Sequence, residues 1–335
     1  MLGCAFTPYA QKMHRRRRGT TLITSSPTPF ALAVDLGGTK IEAALVDDAG
    51  RILNGSRFRE PTGRDASSEQ LAGSVTHVVG KARAALPLDA EVIGIGVGTA
   101  GPIDIAGGTV SPLNLPAWRK FPLQSHIESL VPDAPVRLRM DGLCIALAEH
   151  WVGAGQGVDD LMGMTVSTGV GGGLILGSRT VTGPTGNAGH IGHVEVGGFD
   201  DACWCGGTGC LEAIASGPST VAWAQGEGWT GSTGEQLAEA YAAGDDVARR
   251  AVQRSGRAIG QAIASATNLV DLDLVVIGGG FSRVTPDLLD FARESLAERT
   301  EFAFVTRVRI APSTLSDEAP LIGAAALVHR AELVP

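Results

Sequence analysis

The sequence predicts an α/β protein of two halves that meet at a cleft, and three observations point there. A chain of 335 residues exceeds what one hydrophobic core usually serves and suits two. A strand, glycine turn, strand unit occurs twice, at 31–46 and again at 161–176, as a duplicated α/β architecture would show. A third buried strand, Leu274 to Ile277, ends in Gly278-Gly-Gly280. Glycine turns at the ends of buried strands let backbone N–H groups approach a phosphate. The expected limits are a tail at 1–29, an N-terminal α/β domain at 30–138, a C-terminal α/β domain at 139–316, and a last helix at 317–335 that packs back on the N-terminal domain.

The elements follow in order. Ala31 to Asp35 is a short apolar run with the look of a buried strand. Gly37-Gly-Thr-Lys40 turns it into a second strand, Ile41 to Val46, and a third is expected from Arg51 onward. A helix is predicted over 67–85 and a strand over 92–97, followed by a loop rich in Gly and Pro from Gly98 to Phe121. Val136 to Met140 predicts a strand that feeds directly into a helix from Asp141 to Trp151. Leu161 to Ser167 is the next strand, Thr168 to Gly173 its glycine loop, and Leu174 to Leu176 the return. Helices are predicted at 217–226, 233–243, 245–267 and 321–332.

Composition narrows the function classes. Hydrophobic residues make up 44% and charged residues 19%, so most of the chain can bury a core. No apolar run approaches the roughly 18 residues that cross a bilayer, and a formal charge of −8 argues against a nucleic-acid partner, whose readers carry a basic face. Membrane attachment is likewise not expected, and a cytoplasmic location is. Basic residues cluster only at Arg15–Arg18, within a polar tail broken by Pro27 and Pro29. No apolar stretch follows as a secretion signal requires, so the tail reads as disordered, or as an upstream start with Met13 as the true one.

Five features carry chemistry. In Asp35-Leu-Gly-Gly-Thr-Lys40, Gly37 and Gly38 expose backbone donors, Thr39 adds a hydroxyl and Lys40 a cation for phosphate, while Asp35 suits Mg²⁺ held through water. Thr168, Gly169 and Gly171 repeat the pattern, and Gly278 and Gly279 offer close backbone approach to adenosine. Any one of these turns is common without phosphate; three at strand ends favour a nucleotide cleft. Asp141, opening a helix, is an ordinary N-cap residue type, yet transfer to a hydroxyl also needs a carboxylate to accept its proton. His193, Cys203, Cys205 and Cys210 combine one imidazole with three thiols in the donor set of tetrahedral Zn²⁺, and four protein ligands make a closed, structural site. Cys144 reads as a small core residue.

These residues resemble the ROK family of sugar kinases and repressors. Asp35 to Lys40 is similar to the family's first phosphate motif. Gly186-Asn-Ala-Gly-His-Ile-Gly-His193 followed by Cys203-Trp-Cys-Gly-Gly-Thr-Gly-Cys-Leu-Glu212 is similar to its signature block. The match spans about 30–330. It implies an actin-like (RNase H-like) fold whose two domains close on a sugar, ATP with Mg²⁺, a structural zinc and a homodimer. It makes Asp141 the catalytic base that directs a hexose hydroxyl onto the γ-phosphate. Asn114, His190, His193 and Glu212 become the sugar contacts, with His193 also ligating zinc, and the Gly98–Asp104 stretch lines the pocket.

Two positions depart from the family pattern. Met140 stands where an Asn usually precedes the catalytic Asp, and His190 stands where a Glu is usual. A histidine there occurs in the bacterial N-acetylmannosamine kinases of the family, which also share the Val166–Gly173 run. By family frequency alone the expected acceptor is a glucose-type hexose first; His190 supports N-acetylmannosamine next, and Met140 suits a C7-cyclitol third. A non-catalytic sugar-sensing regulator is the reading of another class. The family's repressors carry a DNA-reading module ahead of the first phosphate motif, and only about 30 residues precede it here, too few for such a fold.

Overall fold

The computed structural model describes residues 1, 3, 26–315 and 317–334. The readings of Cys4, Met13 and Arg15–Arg18 lie outside the described residues. The first strand, β1 (Thr28–Leu36), begins two positions inside the segment assigned to the tail, because Thr28 donates its N–H to the Asp89 carbonyl at 2.9 Å and pairs with Ala90.

Strand β1 turns through 37–39 into β2 (Lys40–Val46), and β3 (Phe58–Pro61) follows. The third strand starts later than expected from Arg51. The Asp47 carboxylate accepts the N–H groups of Ala49 and Arg51, and the buried Ser56 hydroxyl accepts that of Leu45, so 47–57 is spent in side-chain-closed turns before the chain rejoins the sheet. Helix α1 (Ser68–Ala84) opens on a capping box in which Ser67 and Gln70 satisfy each other's backbone N–H, an arrangement that stabilises a helix start by about 1 kcal/mol. Then come β4 (Ala90–Thr99), the small hairpin β5 (Ile103–Asp104) and β6 (Thr109–Val110), α2 (Leu123–Leu130) and β7 (Val136–Met140). The hairpin and α2 were not foreseen. The sheet runs β3-β2-β1-β4-β7, with β1, β4 and β7 parallel and the β1–β2 and β2–β3 pairs antiparallel.

Helix α3 (Asp141–Val152) leads to the second sheet. Its strands are β8 (Leu161–Val166), β9 (Val170–Leu176) and β10 (Arg179–Val181). The helices α4 (Leu211–Ala215), α5 (Gly217–Gly226), α6 (Gly234–Ala242) and α7 (Asp246–Val270) come next. The chain ends with β11 (Leu274–Gly278), α8 (Asp287–Arg299), α9 (Ala303–Thr306), β12 (Arg309–Pro312) and α10 (Ala319–His329). The order β10-β9-β8-β11-β12 repeats that of the first sheet strand for strand. The α/β expectation holds in the form of two mixed sheets.

One expectation is corrected. The run from Thr168 to Gly173 is not a loop: only 167–169 turn, and Gly171, Gly172 and Gly173 lie within β9, opposite Thr165, Met164 and Gly163 of β8. The reason is tertiary. A Cβ at Gly173 would lie 2.4 Å from Leu143 Cα and 2.5 Å from the Gly142 carbonyl oxygen, so bare backbone lets α3 lie directly on the sheet. A matching approach brings α10 onto β4, where a Cβ at Gly96 would lie 1.7 Å from the Ala324 oxygen. Helices α3 and α10 pack on each other and, with β1, β2, β8 and β11, share one core of small side chains that includes Ala31, Ala33, Ala44, Ala146 and Ala325.

Candidate active site

The parallel strands β1, β4 and β7 end at Leu36, Thr99 and Met140, so their C-terminal ends lie side by side, where open α/β sheets place ligands. Asp35 is buried there on the last turn of β1, paired with Glu42 across the antiparallel β1–β2 ladder and with Gly98 on the other side. Burial pushes its carboxyl up to about 7, with the charges of Asp141 and Glu42 adding to the effect and Lys40 and Arg57 opposing it. The turn itself is closed by Gly37 N–H donating to the Lys40 carbonyl at 2.9 Å, and is tied to Thr62, whose hydroxyl donates to the Gly37 carbonyl at 2.9 Å. Thr39 is exposed at its tip.

Lys40 is not a free cation. Its ammonium pairs with Glu42, a carboxylate only 1% exposed that also takes Arg57 Nε at 3.0 Å and Arg59 Nη2 at 2.8 Å. Three cations outweigh the cost of burying this carboxylate and hold its pKa below the usual range. Sequence reading missed Glu42, because an acidic residue in an alternating strand looks solvent-facing until the neighbouring arginines are placed.

Asp141 is the first residue of α3 rather than its cap, and takes the Gly142 N–H at 2.7 Å. Burial raises its carboxyl to about 6; the Gly142 N–H opposes the shift, and the charge of Glu212 adds to it. Glu212, on α4, accepts the Val170 N–H at 2.9 Å, which seats it against the second turn beside Gly169. Asn114 comes from a loop anchored by the fully buried Trp118. Arg119 Nη1 binds the carbonyls of Pro112, Leu115 and Trp118 at 2.9, 3.2 and 2.7 Å. The Asn114 side chain lies over the first turn, its amide nitrogen 2.2 Å from where a Gly38 Cβ would be, and its carbonyl oxygen is buried with no partner. A buried acceptor left in this state fits a ligand hydroxyl.

His190 and Met140 meet at Gly101, where a Cβ would lie 2.6 Å from His190 Nε2 and 3.0 Å from Met140 Sδ. Burial, with the nearby His193 adding to it, lowers the His190 pKa, so its ring is neutral at pH 7 and can donate or accept. The two histidine rings are 5.3 Å apart. His193 turns Nδ1 to Cys203 Sγ at 3.6 Å, and Cys205 Sγ is 3.6 Å from Cys210 Sγ. All four ligand atoms lie within 4.8 Å of one another. Bonds of about 2.3 Å to a tetrahedral zinc put sulfurs about 3.8 Å apart, so these residues fit the ion.

A cavity of about 600 Å³ opens on the other side of the second turn, lined by Thr168, Gly217, Val221, Gln225, Gly234 and Phe281 among others. Helices α5 and α6 form its wall, which no sequence motif announced. Gly278 ends β11, and Gly279, at φ +96°, packs against the Val166 carbonyl; neither lines the cavity, which Gly280, Phe281, Arg283 and Val284 reach.

The model of the ROK family matches residues 31–331. An N-acetylmannosamine kinase of Escherichia coli O127:H6 is 34% identical over 303 residues, covering 90% of this chain and 99% of its own. Among solved structures, the ROK family glucokinase from Streptomyces griseus, in complex with glucose and AMPPNP, superposes with a TM-score of 0.78 at 32% identity, covering 90% of this chain and 99% of that one. The ROK hexokinase from Thermus thermophilus gives 0.76 at 33% identity, with the same coverage. The chain belongs to the ROK family.

Proposed function

We infer that this sugar kinase transfers the γ-phosphate of ATP to a hydroxyl of an N-acetylmannosamine-type hexose. The observation that carries the reading is the unpaired, buried Asn114 carbonyl poised over the first glycine turn, at the strand ends that also present Asp35 and Asp141. A sugar hydroxyl donates to that oxygen. Asp141 accepts the proton of the attacking hydroxyl, the new P–O bond forms as the bond to ADP breaks, and a carboxyl raised to about 6 is well matched to that transfer. Asp35 would hold Mg²⁺ through water, and the amides of 38–39 and 168–169 would face the phosphates, since those of Gly37 and Ser167 close the turns. Thr168 lies at the border of the adenosine cavity, with Gly169, Gly171, Gly278 and Gly279 as the bare backbone beneath. His193, Cys203, Cys205 and Cys210 would hold zinc, with His193 bound through Nδ1 so that its Nε2 is left for the sugar. The repeated sheet order supports an actin-like pair of lobes divided near Asp141, with α10 returning to the first.

N-acetylmannosamine moves ahead of glucose because the relatives of that name are 34–36% identical and because Met140 and His190 reshape the pocket wall together. Met140 offers apolar surface that suits an acetamido methyl, and the neutral His190 can donate to its carbonyl. Glucose is the second reading, favoured by the glucose-bound neighbour. A coupled ADP-release screen over glucose, N-acetylmannosamine, N-acetylglucosamine and a C7-cyclitol decides. N-acetylmannosamine is expected to give the highest kcat/KM, and a wide preference for glucose overturns the order. Metal analysis is expected to find one zinc per chain, lost in Cys205→Ser together with sugar affinity.

A further inference from the structure

The segment 101–105 of the first half and the segment 185–190 of the second run antiparallel to each other without belonging to a common sheet. Ile105 N–H donates to the Thr185 carbonyl at 3.3 Å. One step along, the backbone pairing is replaced by a side chain: Ile103 N–H donates to Asn187 Oδ1 at 2.9 Å, and Asn187 Nδ2 donates to the Ile103 carbonyl at 2.7 Å. The same Nδ2 donates to the Thr185 hydroxyl at 3.0 Å. Gly186, at φ +92°, makes the approach possible, since a Cβ there would lie 2.5 Å from Ile105 Cγ2. A further step brings Gly101 to His190. The carboxamide fits one way only, because turning it over would set N–H against N–H and oxygen against oxygen.

We propose that Asn187 is a positioning residue for the sugar pocket: its carboxamide serves as a rung between the two segments and fixes the gap in which Gly101, Met140 and His190 face one another. This rests on the sugar-kinase reading. Asn187 itself sits three residues from His190 and one step along the ladder from Gly101, and a ladder held at 103 and 105 sets the register of 101. Without the rung, the His190 wall is free to move away from Gly101, and the acceptor sugar loses its fit while the nucleotide, on the far side of the second turn, does not.

The test uses the full-length, zinc-loaded protein and two variants. Asn187→Ala removes the rung. Asn187→Asp keeps the volume and the acceptor for Ile103 N–H, but sets a carboxylate oxygen against the Ile103 carbonyl. Losing two neutral hydrogen bonds that hold one wall predicts a rise of about tenfold in sugar KM, with nucleotide KM changed by less than about twofold. Amide hydrogen exchange over 103–105 is expected to accelerate in both variants, and zinc content to stay at the parent's value. The exchange arm needs no turnover: a parent inactive on every sugar would sink the kinase reading and leave the rung to be judged by exchange. Unchanged exchange at Ile103, a silent Asn187→Asp, or a nucleotide KM that rises as much as the sugar KM overturns the positioning role.

Discussion

The two glycine turns occupy the same place in two sheets of identical strand order, yet they are built from opposite materials. On the second rung before the first turn, Asp35 faces Glu42; on the corresponding rung of the second, Thr165 faces Gly171. Two carboxylates directly opposite each other repel, and the first half answers with Lys40, Arg57 and Arg59 around Glu42; the Asp35 pKa is raised, by burial first and then by the charges of Asp141 and Glu42. The second half has no charge on that rung; its glycines exist to admit α3, whose first residue is Asp141. One turn is tuned by electrostatics and the other by shape, so a repeated topology fixes where a ligand can sit but leaves its chemistry to the side chains.

The largest effect is expected at the point where the halves join. Asp141→Asn keeps the shape and cannot take the proton, so kcat should drop by about 10²–10⁴ with nucleotide affinity retained; near-normal turnover would reduce Asp141 to a helix-start residue. Glu42→Gln tests the electrostatic turn. It strands three cations around a neutral amide, and unfolding free energy should fall by about 3 kcal/mol, measured by denaturant titration. A stability equal to the parent's would mean that the cluster is solvated in practice. Gly173→Ala tests the turn built on shape, by forcing a methyl into the backbone of α3. A loss of about 1–3 kcal/mol, with kcat falling alongside as Asp141 is displaced, is the expected result.

Acidity separates the halves again. In the proposed reaction Asp141 works as the carboxylate, so kcat/KM should decline as pH falls through about 6. Asp35 acts on stability with the opposite sign. Its folded pKa is raised from 3.8 to about 7, so its stabilising contribution is full below the unfolded value and is lost as pH rises through 7. Nucleotide-free protein carrying Asp35→Asn should therefore melt above the parent at pH 8, and a lower melting temperature would show that Lys40 and Arg57 already offset the burial. The smallest effect belongs to Gly171→Ala, whose methyl meets Thr165 Cγ2 at an ordinary 3.4 Å; stability should change by less than about 0.5 kcal/mol. A large loss there would mean that the second turn also depends on bare backbone at this rung.

Much of this was legible in the sequence where the signal is local. The turn after Asp35, the helix from about Ser67, the start of α3 at Asp141 and the cluster of His193 with Cys203, Cys205 and Cys210 each show themselves in a short stretch of sequence. What escaped depends on partners far along the chain. Glycines 171–173 look like a loop until α3 is laid on them, and Glu42 looks exposed until Arg57 and Arg59 return beside it. Asn187 looks like a turn residue until Ile103 arrives. The wall of the cavity on α5 and α6 carries no residue type that marks it, because a small-molecule pocket asks for shape and apolar surface more than for particular side chains.

The seat of α10 between the sheets has a consequence for how the chain is made. Strands β1 and β4 leave the ribosome early, but the face they turn to α10 stays uncovered until residues 319–329 have been synthesised. The first sheet must wait, with an apolar face of Ala31, Ala33 and Ala44 open to water, while the whole second half is translated and folds. Contacts of such sequence separation form slowly, and an unfinished face invites association with other nascent chains. The helix made last is thus the step that ends the protein's vulnerability, and a ribosome stalled before Ala319 would hold a sheet that is formed but not closed.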